Sequence, residues 1–142
     1  MKDQVNSATF LPRWKGTQCR IGITGGIGSG KSSISNFLNT EKNWPILDAD
    51  IYAKEALATN QDATKAVINR YGETIISKES QQPISINRSA LAKIIFDNAD
   101  ERLWLEKLIH PIVKARIEEE INLLEWEPII VITIPLLFEA KL

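Results

Sequence analysis

One cysteine, Cys19, is all the thiol chemistry that the 142-residue sequence contains. A lone thiol closes no internal disulfide and builds no zinc cluster, so a reducing cytoplasm is the expected setting. Charge of one sign is equally scarce. Seventeen Lys and Arg stand against 18 Asp and Glu, a formal net charge of -1, which leaves no basic field to gather nucleic acid by counterion release. A nucleic-acid partner is therefore not expected. Long apolar runs are missing as well: no uncharged apolar stretch approaches the roughly 18 residues that span a bilayer. Met1 to Gln18 contain no continuous apolar core of a secretory signal, and 1–18 read as a flexible N-terminal extension. No membrane association, internal repeat or low-complexity tract is expected. What remains is 44% hydrophobic and 25% charged side chains, the balance of a soluble globular domain whose core packs without a disulfide or structural metal.

The pattern along the chain is that of an α/β domain. CRIGIT, from Cys19, is short, apolar and β-prone, and it runs straight into TGGIGSGKS. SSISNFLNTEKN then sets Ile34, Phe37 and Leu38 at helical spacing, a stripe expected to pack back on a sheet. Trp44-Pro45 interrupts, and PILDAD predicts a second buried strand with Asp48 and Asp50 at its end. From Ile51 to Glu127 four amphipathic stretches predict a helical insert. Gly72 ends one of its helices, Pro83 marks an irregular connection, and Asn87 or Ser89 caps the next helix. Pro128 opens IIVITIPLL, a β-branched run suited to a parallel strand covered on both faces. These readings divide the chain into a core of 19–52 and 127–142 and an insert of about 53–126.

Gly25 to Ser32 fit GxxxxGK[ST] at every specified position, with a strand predicted before and a helix after. Residues without a Cβ let the backbone turn its N–H groups inward around a phosphate, and the helix that follows adds its positive end. Gly26, Ile27, Gly28, Ser29 and Gly30 are the candidate cradle, with Lys31 on the β and γ phosphates, the Ser32 hydroxyl on Mg²⁺, and Ser33 as a further donor. A turn that merely joins strand to helix has no need of Lys-Ser after these glycines. The dinucleotide pattern GxGxxG fails, because Ile27 stands where it needs glycine. Asp48 and Asp50 alternate along a strand, yet near its frayed end both can reach the cleft. One would hold magnesium through water and the other accept a proton from a substrate hydroxyl; the competing reading is that DAD caps the next helix at Asp50. The four tryptophans, Trp14, Trp44, Trp104 and Trp126, have no spacing that forces a ligand role and read as core or partly exposed packing residues.

ITGGIGSGKS, ILDAD, LIHP and IPLLFEAKL, in this order and at these separations, resemble the dephospho-coenzyme A kinase family from about Arg20 to Leu142. The resemblance implies a P-loop NTPase-type parallel sheet core with an inserted helical acceptor-binding domain. It implies transfer of the ATP γ-phosphate to the ribose 3′-hydroxyl of dephospho-CoA, with ATP as co-substrate and Mg²⁺ assisting. Carried over by position, Lys31 and Asp50 are the catalytic candidates, Asp50 as base or magnesium-side carboxylate, with Ser32 and Asp48 toward the metal. His110, before Pro111, stands beside the implied acceptor pocket, although a histidine before proline also reads as structural. Pro135, Leu136 and Glu139 resemble the segment that lines the acceptor site, with a solvated surface charge as the other reading of Glu139. The chain departs from the family at Thr133, where many relatives carry an acid. It also stops at Leu142, where the family continues through further core strands and an arginine-bearing lid. An unpaired sheet edge at the P-loop strand, with self-association, is the expected consequence. Two other readings compete: another small-molecule P-loop kinase of the shikimate type, and an inactive nucleotide-binding remnant.

Overall fold

The computed structural model of the protein describes residues 17–26, 28–59, 61–78 and 84–134. Three strands, β1 (Cys19–Thr24), β2 (Ile46–Asp48) and β3 (Ile129–Ile134), form a parallel sheet of order β1-β3-β2. Helix α1 (Lys31–Lys42) links β1 to β2; α2 (Ala49–Ala56), α3 (Asp62–Tyr71), α4 (Arg88–Asp97) and α5 (Ala99–Leu123) lie between β2 and β3. The sheet is parallel because every connection among these strands carries at least one helix. β3 sits in the middle, and its consecutive residues Ile130 and Val131, which point to opposite faces, are both fully buried. That is the two-sided burial its β-branched run predicts.

Helix ends follow local chemistry. Asn87 caps α4 by accepting from the Ala90 amide, settling the choice between Asn87 and Ser89. Asn98 caps α5 by accepting from the Asp100 and Glu101 amides, and both acids lie in the first turn, where the helix dipole favours them. α3 ends at Gly72, with φ of 67°. α5 passes through Pro111, whose missing N–H leaves the Lys107 carbonyl without its helical donor. Pro83 and Trp14 lie outside the described residues. No helix among them is long and apolar enough to cross a membrane.

The helical part has its own core. Val67 and Ile75 are fully buried, and Leu91, Leu105, Ile109 and Val113 pack with them. α2 packs on α5 and also meets β3, so it belongs to sheet and helical layers alike, and the boundary expected at 52–53 falls inside this helix.

Three expectations need correction. Ile34 and Phe37 do not pack on the sheet: they are 52% and 55% exposed, while Ser35 is the buried residue of α1. The inward face of α1 is formed instead by Lys31, Ser35 and Leu38, one and two turns apart. The N-terminal extension does not run to 18: Gln18 is buried, and its side-chain amide donates to the Leu124 and Glu127 carbonyls at 2.7 and 2.9 Å. The second strand stops at Asp48, so Asp50 is helical. Among the described residues β1 is paired on one side only, the edge at which the sequence predicts self-association.

α3 is tied to α5 by a charged clamp. The Arg70 guanidinium donates to both Glu101 carboxylate oxygens, at 2.7 and 2.9 Å, and the Tyr71 hydroxyl donates to the same carboxylate. The guanidinium also lies 4.5 Å over the Trp104 ring, and Trp104 meets Tyr71 edge to face. Hydrogen bonds from Arg70, then from Tyr71, hold the Glu101 carboxyl down at about 2, against an ordinary value of 4.5. A carboxyl lowered by folding stabilises the fold above its unfolded value and stops doing so as pH falls through its folded one. Acid titration is therefore expected to weaken the clamp between about pH 4.5 and 2. Glu101→Gln should flatten the stability curve in that window, and the check is thermal melting at stepped pH. An unchanged acid slope would show that the clamp carries no stability.

Candidate functional site

The loop after β1 has the backbone that its glycines allow. Gly28 and Gly30 have φ of 77° and 86°, and Gly30 is the residue from which α1 starts. The Ser29 amide donates to the Gly26 carbonyl at 3.1 Å, closing the turn. A Cβ built on Gly25 would stand 2.5 Å from the Ser29 hydroxyl oxygen, so this corner is closed to larger residues unless Ser29 moves. Ile27 lies outside the described residues. No side chain among them caps α1 and no acid lies in its first turn, so this positive helix end carries no internal side-chain cap.

Beside this helix end lies a polar cavity of about 360 Å³, whose lining includes Lys31, Ser32, Asp48, Asp50 and Thr133. The sheet brings these residues together, because Asp48 and Thr133 are register partners at the carboxyl ends of β2 and β3, the end at which open α/β sheets bind ligands. The Lys31 ammonium donates to the Ile134 carbonyl at 3.4 Å and lies 3.9 Å from the Asp50 carboxylate. Asp48 is the cap of α2: its Oδ1 accepts from the Asp50 amide at 2.9 Å and the Ile51 amide at 3.4 Å. The capping role that the competing reading gave to Asp50 belongs to Asp48, since the chain turns helical two residues earlier than the alternation of ILDAD predicts. Asp50 is thereby released to project from the first turn of α2, with its side chain half exposed.

A second cavity, about 240 Å³, opens between α2, α4 and α5. Its walls are mostly apolar, with Leu57, Leu91, Ile95, Leu105 and Ile109, and it also receives Lys54, Arg88 and Arg102. Asp50 lines this cavity too, so one carboxylate stands between the polar site and the apolar one. α2 is fixed there by Tyr52: the Arg116 guanidinium lies 5.7 Å over its ring and bonds Glu120 at 2.7 Å. Burial, then the Glu120 charge, pushes the Tyr52 phenol upward, so it stays protonated at neutral pH.

His110 is exposed on α5 and lines neither cavity, although its neighbour Ile109 lines the apolar one. Pro135, Leu136 and Glu139 lie outside the described residues. Sequence reasoning did not single out Lys54, Arg88 or Arg102. They come from three different helices, and no spacing along the chain signals that they converge.

Magnesium fits the donors present. It takes oxygen ligands, keeps several waters, and is commonly held by one or two carboxylates together with substrate phosphates. The polar cavity offers the Ser32 hydroxyl, the Asp48 and Asp50 carboxylates and the buried Thr133 hydroxyl, all oxygens. No group of three or more His, Cys, Asp or Glu that could hold a metal ion by itself converges among the described residues.

A family model described as dephospho-CoA kinase matches residues 19–142. Proteins named dephospho-CoA kinase from two strains of Prochlorococcus marinus are 53% identical over 138 residues and 55% identical over 130 residues. These alignments cover 97% and 92% of the chain but 66% and 64% of the two relatives, so the chain spans a little under two thirds of their length. Among solved structures, a Thermus thermophilus protein superposes with a TM-score of 0.71 at 32% identity, covering 87% of this chain and 59% of that one. A dephospho-CoA kinase from Campylobacter jejuni superposes with a TM-score of 0.65 at 26% identity, covering 87% and 60%.

Proposed function

The chain belongs to the dephospho-CoA kinase family, and we propose that it transfers the γ-phosphoryl group of ATP to the ribose 3′-hydroxyl of dephospho-CoA, the final step of coenzyme A synthesis, in the cytoplasm. The observation that carries this reading is the position of Asp50, in the wall of both the phosphate-side cavity and the apolar cavity. A kinase needs a carboxylate at that junction, because the acceptor oxygen must lose its proton as it meets the phosphorus.

In this reading the loop amides and the α1 end hold the β and γ phosphates, and Lys31 turns from the Ile134 carbonyl to the phosphate oxygens. Magnesium, held by Ser32 and Asp48 with the phosphates, supplies neutralising positive charge when bound. The acceptor enters the helical cavity, where apolar walls suit an extended thiol arm and Lys54, Arg88 and Arg102 suit its diphosphate. The 3′-hydroxyl oxygen forms the new bond to the γ phosphorus, the bond from that phosphorus to the β,γ-bridging oxygen breaks, ADP leaves, and the hydroxyl proton goes to Asp50. The helices between β2 and β3 thus serve as the acceptor-binding domain.

The test is incubation of the 142-residue chain with ATP, magnesium and dephospho-CoA, read by mass spectrometry. A product heavier by one phosphoryl group, with the phosphate on the 3′-hydroxyl, is expected. ATP binding without any such product, or phosphorylation of a different small alcohol in its place, would overturn the proposal.

A further inference from the structure

Among the described residues, one buried side-chain polar atom has no hydrogen-bond partner, the Thr133 hydroxyl oxygen. Thr133 is only 3% exposed and sits one residue before the end of β3, in register with Asp48 on β2 and Ile23 on β1. Register partners in a sheet point to the same face, and Thr133 and Asp48 accordingly both line the polar cavity with Lys31 and Ser32. A buried hydroxyl without a partner is unfavourable, and valine would fill the same space without that penalty. Its presence in the floor of a phosphate cavity is accounted for if its partner arrives with the ligand.

We propose that the Thr133 hydroxyl is a positioning group for the magnesium ion that accompanies ATP, accepting a hydrogen bond from one of the waters that the ion retains, beside the Asp48 carboxylate. The inference rests on the phosphoryl-transfer reading of the same cavity. Its chemistry follows from the ion: magnesium gives up water reluctantly, so protein groups hold it largely through its hydration shell, and a water bound to a dication is a strong donor. A hydroxyl oxygen can accept from such a water but brings no charge. The pair Asp48 and Thr133 therefore adds one negative charge to the metal side, not two. The ion is then retained by the nucleotide's phosphates more than by the protein, and the free chain should show little affinity for magnesium alone.

Equilibrium binding of a fluorescent ATP analogue, titrated with magnesium and again with a chelator, separates the possibilities. In the unaltered chain magnesium should tighten binding. Thr133→Val should lose about threefold to tenfold of that gain, the range of one ordinary hydrogen bond, while binding in chelator stays the same. Thr133→Ser should keep the gain. Thermal melting without nucleotide should not fall in Thr133→Val, because the hydroxyl removed has no partner there. The full magnesium gain in Thr133→Val would overturn the role of Thr133 alone. So would a lowered melting temperature with the full gain, which would assign the hydroxyl to the fold. If Thr133→Val does not fold, Thr133→Ala lacks the same hydroxyl and carries the same readout. Binding that ignores magnesium in the unaltered chain would overturn this proposal together with the reading it rests on.

Discussion

Lys31→Ala is expected to lower phosphoryl transfer by about a thousandfold while leaving the chain folded. The migrating group carries negative charge spread over its equatorial oxygens, so catalysis of this kind is positioning plus cationic stabilisation, with little covalent work for the protein. Lys31 is the cation that lines the polar cavity, and it is the first residue of α1, where the helix end reinforces it. Its described partners are a 3.4 Å hydrogen bond to the Ile134 carbonyl and a 3.9 Å approach to Asp50, both at the edge of the usual ranges. Their loss should change melting by no more than a partly open ion pair does, on the order of 1 kcal/mol or less. Lys31→Arg should fail to restore the rate, because a planar fork does not replace a compact ammonium at one point between phosphates. Product formation measured with matched melting curves decides the matter. Turnover within tenfold of the unaltered chain would remove Lys31 from the reaction.

The conformation of the loop after β1 was legible in the sequence, because GxxxxGK[ST] calls for glycines in left-handed backbone followed by a helix, as at Gly28, Gly30 and α1. The strand from Ile129 and the ends of α3 and α4 were readable for the same reason: β-branched runs, Gly72 and Asn87 act locally. What depended on tertiary choice was not. Helical spacing shows that Ile34 and Phe37 share a face, but not that Ser35, and not they, is the residue α1 buries. Alternation along ILDAD places Asp48 and Asp50 on a strand, but the Asp48 carboxylate can satisfy two amides at once, so the helix begins directly behind it. Thr133 illustrates the same limit. In sequence it is only a departure from an acidic pattern, whereas the sheet register sets it beside Asp48 and the packing leaves its hydroxyl without a partner. Sequence relatives set the family, and geometry alone brought Lys54, Arg88 and Arg102 to the cavity that Asp50 also lines.

Asp50→Asn should lower kcat by about a hundredfold to ten-thousandfold, the range for removing a positioned proton acceptor, and leave KM for ATP unchanged or slightly lower. The substitution keeps shape and removes only the charge and the ability to take the proton. It spares the fold, because the cap of α2 is the Asp48 side chain and Asp50 contributes only its backbone amide there. It also removes a negative group 3.9 Å from Lys31, which frees that ammonium for phosphate; for this reason binding should not weaken while the chemical step does. Asp48→Asn is the control on the same helix end. Its amide oxygen can still accept from the Asp50 and Ile51 amides, so α2 keeps its start, but the carboxylate charge on the metal side is gone. That variant should need more magnesium to reach its full rate, whereas Asp50→Asn should stay slow at any magnesium concentration. If the two variants exchanged these behaviours, Asp48 would be the proton acceptor and Asp50 the metal-side group. A rate for Asp50→Asn within threefold of the unaltered chain would leave the carboxylate between the two cavities without a part in the transfer.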